Sequence, residues 1–389
     1  MRYYIHDLIP DPFNRRVLLS IISVISVYGL SIGYIYPLIS LKLEAREYTP
    51  LVIGIMGMVP FIASIIASPL IPLIIRAINV GRLVLIAICT DLVMIAMLTA
   101  FDDINVWFVC RFIMGVAGTV LFVVSETWIN EIAEDRTRGR ILGLYTFTFS
   151  ATLGLSPLFI VFLGVDGKLP FVVAFAVIAL ALIPLRWTRG SEPDFSGGRV
   201  SHVLKFIVLA PTLVGAVALM SFEEAAIVTL LPVYSIKNGV STDWAAMFLT
   251  VIAVGSMAAQ PLIGSLADRI NRYYLIFACA GVMLVSILSL PLVIKSPVVV
   301  WPVLLIWGGA TAGIYTVALA IMGQRFRGAQ LAAGNAAFGV MWGVSGGISP
   351  ALGGAAMTAW DENGLIVTMA VATVAFLILA FVRRIAASR

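Results

Sequence analysis

The sequence predicts an all-α membrane protein with twelve transmembrane helices arranged as two pseudo-symmetric six-helix bundles. Three observations carry this reading: the composition, the blocks into which the apolar residues fall, and the side on which the arginines collect. Of 389 residues, 61% are hydrophobic and 12% charged, whereas a soluble domain carries about 25% charged residues. Mean hydropathy is +1.06. A helix needs roughly 20 apolar residues to cross about 30 Å of hydrocarbon. Blocks of that kind cover residues 17–41, 51–75, 83–101, 105–130, 140–164, 169–187, 207–235, 244–267, 273–294, 298–323, 329–357 and 363–382. They show no period-2 alternation, which argues against a membrane barrel.

The first block is too long for a signal-peptide core and lacks a small-residue cleavage site, so it reads as a retained helix. Residues 1–16 before it read as a cytoplasmic segment, on the membrane surface or as a loose tail. The fourth block carries Arg111 and Glu126, the fifth Gly154-Leu-Ser-Pro157, and the seventh Glu223, Glu224 and Pro232. The eleventh is rich in glycine, and the twelfth runs into Arg383 and Arg384. Cys89, Cys110 and Cys279 all fall inside blocks with no metal or redox spacing, so they read as small core residues.

Orientation follows from the basic residues. With the N-terminus in the cytoplasm and twelve alternating helices, only Lys42, Arg46, Lys168, Lys237 and Lys295 lie outside, and Arg111 lies within a block. Every other Lys and Arg of the 25 is then cytoplasmic, the bias the positive-inside rule requires. The net charge of +5 is thereby explained by orientation, with no nucleic-acid partner needed. Both termini are expected in the cytoplasm of a bacterial cell, with the chain in the inner membrane and surrounded by lipid.

A polar stretch rich in Gly, Ser and Pro from about Arg186 to His202 reads as a linker. It divides the chain into a bundle over 17–187, a cytoplasmic linker over 188–206, a second bundle over 207–384 and a tail over 385–389. The bundles echo each other. Gly154-Leu-Ser-Pro157 matches Gly347-Ile-Ser-Pro350, Arg138-Gly139 matches Arg327-Gly328, and Pro37 matches Pro232. All three matches share nearly one offset. Six-plus-six repeats with a substrate site between them are a known transporter plan.

On these residues the chain resembles the major facilitator superfamily, over nearly its whole length. Gly264-Ser-Leu-Ala-Asp-Arg-Ile-Asn-Arg272 is similar to the family's loop signature G-x-L-x-D-R-x-G-R, with Asn271 in place of the second glycine. The equivalent loop of the first half keeps Gly81-Arg82 but has Ile78 where the aspartate would stand. Arg111-x-x-x-Gly115 resembles the helix-four arginine–glycine motif, and Arg136-Thr-Arg-Gly-Arg140 a typical fourth-to-fifth loop. More narrowly, Ser125-Glu-Thr-Trp-Ile-Asn130 and Leu230-Leu-Pro-Val-Tyr234 resemble the YcaD-like branch of bacterial facilitators. The helix-five G-P-x-x-G-G signature of drug antiporters is absent, since residues 154–159 read Gly-Leu-Ser-Pro-Leu-Phe.

Ionisable residues within a membrane span mark functional sites by default, because each costs about 2.5–3.5 kcal/mol at a helix centre. The candidates for substrate or proton binding are Arg111, Glu126, Glu223 and Glu224, with Asp91 a less specific fifth. On a helical wheel Arg111, Gly115, Gly118, Phe122, Ser125 and Glu126 fall within roughly 100°, with about 22 Å between the two charges. That stripe fits a cavity wall, and it equally fits close helix packing. Arg111 also fits a salt bridge or a snorkelling side chain, and Glu126 a structural lock to Arg136 or Arg138. Glu223 and Glu224 are adjacent, so simultaneous ionisation is hindered and one of them is expected to hold a proton; hydrogen bonding to neighbouring helices is the other reading.

The resemblance implies that helices one, four, seven and ten surround the cavity. Tyr28, Tyr34, Trp307 and Tyr315 are then candidate lining, with Gln260 on the eighth helix, although each aromatic alone fits helix packing better. Gly264, Asp268, Arg269 and Arg272, with Arg136 and Arg138, are expected to gate one face through charge pairs at helix ends. Asp268 is expected at a buried edge, favoured by a helix N-terminus.

The expected function is therefore secondary active transport of a small organic solute by alternating access, driven by protons, with export by antiport favoured over proton-coupled uptake. No G-x-x-x-x-G-K-[ST] loop is present, so direct ATP use is not expected. A membrane enzyme would need a nucleophile, base or metal cluster at membrane depth, and neither His6 nor His202 lies in a block. No cofactor or metal is expected, and the chain is expected to act as a monomer. A receptor or assembly factor is the remote alternative.

Overall fold

The structure, a computed structural model, describes residues 12–71, 74, 78–132, 138–183, 185, 201–326 and 328–387. Among them the regular elements are all helical. In chain order they are α1 (Pro12–Leu30), a π-helical segment (Ser31–Ile35), α2 (Tyr36–Ala45), α3 (Pro50–Ala67), α4 (Val80–Ala100) and α5 (Ile104–Ile132). There follow α6 (Arg138–Leu155), α7 (Leu158–Leu163), α8 (Leu169–Leu180), α9 (Ser201–Leu209) and α10 (Pro211–Lys237). The chain continues with α11 (Thr242–Arg269), α12 (Arg272–Val293), α13 (Pro297–Arg325), α14 (Gly328–Ala359) and α15 (Gly364–Ala387).

Among the described residues, ten spans are long and apolar enough to cross a membrane. They match ten of the twelve blocks read from the sequence. The block at 169–187 is only the 12-residue helix α8, too short to cross alone. The block at 329–357 lies in α14, which at 32 residues reaches about 48 Å but is diluted by glycine, alanine and serine. Leu292, Val298 and Phe162 are 86%, 82% and 79% exposed. Such side chains facing water would be an aggregation hazard.

Proline behaves differently at the two ends of the repeat. The fifth block, expected as one helix over 140–164, is broken. α6 stops at Leu155, Ser156 and Pro157 form a turn, and α7 restarts at Leu158. In α14 the matching Pro350 sits inside an uninterrupted helix. Pro60, Pro232, Pro261, Pro291 and Pro302 are also carried inside helices, which neighbouring helices make tolerable in a membrane.

The chain forms two compact units, Met1–Tyr36 with Ile62–Gly197 and Pro37–Phe61 with Gly198–Arg389. In the first unit α1 packs on α5 and α6, while α4 packs on α5 and α8. The π segment lies against α6 and α8. In the second unit α11 packs on α13, α12 on α13, and α10 on α14 and α15. The α11–α13 crossing is nearly backbone to backbone: a Cβ on Gly255 would strike the Leu305 carbonyl, and one on Gly308 the Ile252 carbonyl. Small residues permit this approach, and the Ser256 hydroxyl donates to the Gly308 carbonyl at 2.8 Å across it. The same economy joins α3 to α14 within that unit. A Cβ on Gly54 would strike the Pro350 carbonyl, and one on Gly354 the Pro50 carbonyl. Leu51 N–H donates to Thr358 Oγ1 at 3.0 Å nearby, and Glu44 pairs with Lys237 at 3.1 Å.

Asn79 and Asn271 are N-caps of α4 and α12. The Asn79 side chain accepts from Gly81 N–H and Arg82 N–H, and that of Asn271 from Tyr273 N–H. Asparagine is among the best residues for this role. The substitution of the family's second glycine by Asn271 therefore has a local use, since the backbone there (φ −61) needs no glycine.

Candidate functional site

The fourth-helix stripe separates into two parts. Arg111 is 1% exposed, and its guanidinium carbon lies 3.6 Å from the centroid of the Tyr36 ring. Gly118, Phe122 and Ser125 are packing residues. A Cβ on Gly118 would come within 2.9 Å of the Tyr28 ring, Phe122 packs on Tyr28 with centroids 5.5 Å apart, and Ser125 Oγ shares a hydrogen bond with Tyr145 at 3.0 Å. Glu126, one residue on, is exposed. Of the stripe, only its Glu126 end is open.

Asp91, on α4, is also 1% exposed. Its Oδ1 has no hydrogen-bond partner, nor do Nε and Nη1 of Arg111. At 1.5 Å per residue Asp91 lies about 14 Å from the Ala100 end of α4, and Arg111 about 10 Å from the Ile104 end of α5. Those ends are joined by the short non-helical link at 101–103, so the two charges sit at similar depth on packed helices.

The α10 pair is split by its surroundings. Glu223 is fully buried, and Oε1 accepts from the Thr373 hydroxyl of α15 at 3.4 Å. Glu224 is half-buried, and its Oε2 lacks a partner. Around them α10 is stitched to α14 by hydroxyl–carbonyl bonds: Ser221 to Trp342 O at 2.7 Å, Ser345 to Ala218 O at 2.6 Å and Ser349 to Phe222 O at 2.5 Å. Adjacent residues on a helix point about 100° apart. Glu223 thus faces a neighbouring helix, and Glu224 is the more accessible of the two.

The candidate lining residues are dispersed. Tyr34 is fully buried, and its hydroxyl donates to Pro170 O at 2.9 Å. Tyr28 stacks on Phe149. Trp307 is fully buried with Nε1 unpartnered. Tyr315 is half-buried, edge-on to Trp342 at 6.0 Å. Gln260 is half-buried on α11.

In the loop signature the roles of acid and base are reversed from expectation. Asp268 is not at a buried edge: its side chain is 78% exposed and that of Arg272 only 23%. Asp268 also lies in the last turn of α11, a C-terminus rather than the N-terminus that favours a carboxylate. Arg272 is the organiser. It donates to Ala267 O at 2.9 Å, Ala320 O at 3.1 Å and Gln324 Oε1 at 2.8 Å, and pairs with Asp268 at 3.3 Å, so one guanidinium ties α11, α12 and α13. Arg269 is exposed, and a Cβ on Gly264 would meet open space. Arg136 lies outside the described residues, as does the side chain of Arg138 at the start of α6.

Sequence reasoning did not find Tyr36 or the π segment preceding it. The only signal was proximity in the chain to Pro37, and helical periodicity assumes regular turns.

A model of the Major Facilitator Superfamily matches residues 19–350 and 213–388. The uncharacterized MFS-type transporter YfkF of Bacillus subtilis (strain 168) is 24% identical over 353 residues, 89% of this chain and 90% of that protein. The uncharacterized MFS-type transporter YcaD of Escherichia coli O7:K1 is 23% identical over 376 residues, 96% of each. A crystal structure of a D-xylose-proton symporter superposes with a TM-score of 0.73 at 15% identity, over 95% of this chain and 97% of that one.

Proposed function

The chain belongs to the Major Facilitator Superfamily, and on that footing we propose that it moves a small organic solute by proton-coupled alternating access, with export by antiport as the leading direction. The observation that carries the reading is Glu224: a carboxylate on a membrane-length helix, half-buried, with one oxygen unpartnered. Such a group is costly unless it is used. The exposed Glu126 in the first unit is the second candidate on the solute path. Acidic groups favour a neutral, zwitterionic or cationic solute. Glu223 is held against α15 by the Thr373 hydroxyl. Gly264, Asp268, Arg269 and Arg272 fit a gate at the cytoplasmic helix ends, in which Arg272 fixes three helices as one body.

Proton-coupled uptake is the second reading, favoured by the likeness of fold to a protein described as a D-xylose-proton symporter. In either direction the chain is read as a monomer in a bacterial inner membrane, with both termini in the cytoplasm.

The test begins with a thermal-shift screen of metabolites and drugs on purified protein. Solutes that stabilise it are then assayed in proteoliposomes carrying a pH-sensitive dye. Coupled movement of solute and protons is expected, and Glu224→Gln should abolish the coupling while Glu223→Gln weakens it. Unchanged coupling in Glu126→Gln, Glu223→Gln and Glu224→Gln alike would sink the carboxylate mechanism.

A further inference from the structure

A groove of about 470 Å³ runs along α4 in the first unit, with Phe175 of α8 on its other side. That volume falls within the roughly 300–1,000 Å³ of built ligand sites. Its floor is formed by Cys89, Val93, Ala96 and Ala100, which stand on one face of the helix. Cysteine and the two alanines are short, and the space above them is what they leave unfilled. Val93 is 55% exposed and Phe175 40%, so the groove opens on the surface of the unit. Its lining holds no charged side chain.

Length and charge select an occupant. From Cys89 to Ala100 the floor runs about 16 Å at 1.5 Å per residue, close to one leaflet of a hydrocarbon core about 30 Å thick. The Ala100 end lies beside the start of α8. There the Trp107 indole N–H donates to Phe101 O at 2.8 Å, and the same ring packs edge-on to Phe171 at 6.0 Å. Lys168, the N-cap residue of α8, is therefore at the mouth of the groove. It is exposed, and among the described residues its ammonium makes no ion pair. Asp166 is exposed in the same loop. Asp103, across the mouth, is engaged as a cap, its Oδ1 accepting from Asn105 N–H and Val106 N–H. An apolar groove one leaflet long, with a cation and an acid at its mouth, matches the acyl chain and the two headgroup charges of a zwitterionic phospholipid.

The repeat supplies an internal contrast. Val93, Ala96 and Ala100 of α4 correspond to Val285, Leu288 and Leu292 of α12, all exposed. Leucine stands there where α4 has alanine.

We infer that α4 and α8 hold one zwitterionic phospholipid, with an acyl chain in the groove, the phosphate on Lys168 and the amine towards Asp166. The leaflet is the outer one in the orientation proposed above. The inference rests on the membrane-spanning reading of the chain and needs neither proton coupling nor a particular solute. Bulk lipid would cover α4 and α12 alike, whereas a held lipid favours α4.

The test uses the purified full-length protein in nanodiscs of phosphatidylethanolamine, a fraction of it carrying a photoreactive group on the acyl chain. After illumination and digestion, the stretch 89–100 is expected to carry several-fold more label than 282–293. Native mass spectrometry of the same protein should show one retained phosphatidylethanolamine per chain, in preference to the anionic phosphatidylglycerol. The double variant Ala96→Leu with Ala100→Leu, which gives α4 the side chains of α12, should lose that lipid while its unfolding midpoint stays near that of wild type. Lys168→Gln should weaken retention about fivefold, the usual worth of one lysine at a lipid surface. Equal labelling of the two stretches, retention by the filled variant, or preference for phosphatidylglycerol overturns the lipid site and leaves the membrane reading intact. A chain that does not enter the nanodisc overturns both.

Discussion

The two units bury their polar groups by different means. The first sets a buried guanidinium, Arg111, over the face of Tyr36, with Asp91 buried on the neighbouring helix. The second closes its α10–α14 seam with hydroxyl–carbonyl bonds, at Ser221, Ser345 and Ser349, and rests Glu223 on a threonine hydroxyl and Glu44 on Lys237. Both leave buried polar atoms unbonded, at Asp91 and Arg111 in the first and at Glu44, Glu223, Glu224, Thr229, Thr250 and Trp307 in the second. Both also bring helices into backbone contact, at Gly33 in the first and at Gly255 and Gly308 in the second. The difference lies in what the cation meets: an aromatic face in the first unit and a carboxylate in the second.

The largest effect that tests this contrast is expected from Arg111→Gln. It takes a buried guanidinium off the Tyr36 ring face, a loss of about 2 kcal/mol or more, and leaves Asp91 buried with no cation on the neighbouring helix. Adding Asp91→Asn should recover part of that loss. Thermal unfolding of the purified variants measures it, and no recovery in the double variant would show that Asp91 is not coupled to Arg111.

Glycine offers the next test. In Gly308→Ala the new methyl meets a backbone carbonyl, so α11 and α13 must part, at about 1–3 kcal/mol. In Gly118→Ala it meets the edge of the Tyr28 ring, a side chain that can turn aside, and the unfolding midpoint should drop much less. Equal losses would erase the distinction between a backbone crossing and a side-chain contact.

Serine gives the smallest effect. Ser349 Oγ bonds across to Phe222 O, whereas Ser156 Oγ, its counterpart in the repeat, bonds Leu153 O within its own turn. Ser349→Ala should cost about 0.6 kcal/mol, the average for a bond between membrane helices, and Ser156→Ala less. Urea- or heat-induced unfolding followed in parallel would resolve the order, and a larger loss at Ser156 would reverse it.

Much of the fold was legible in the sequence, because crossing lipid demands long apolar helices whatever their packing. Ten blocks became spans for that reason alone. The break at Ser156 and Pro157 was not legible, since the same four-residue pattern passes through α14 unbroken. The candidate site was legible in residue type, through Asp91, Arg111, Glu126, Glu223 and Glu224, and not in arrangement. Wheel geometry placed Arg111 and Glu126 on one stripe, but only packing on Tyr28, Tyr36 and Tyr145 decided that the Glu126 end alone stays open. The loop signature shows the same limit: a motif names Asp268 and Arg272 together, yet their exposures are opposite.

By itself, then, the sequence determined that this chain is helical, membrane-embedded, internally repeated and sparing with buried charge. Those properties depend on composition and spacing, which solvent and backbone chemistry read residue by residue. Only the tertiary structure decided which side chains surround the buried charges. Asp91 and Arg111 come from consecutive helices and Tyr36 from a helix earlier in the chain, and a π turn, which no periodic pattern announces, sets the last of them in place.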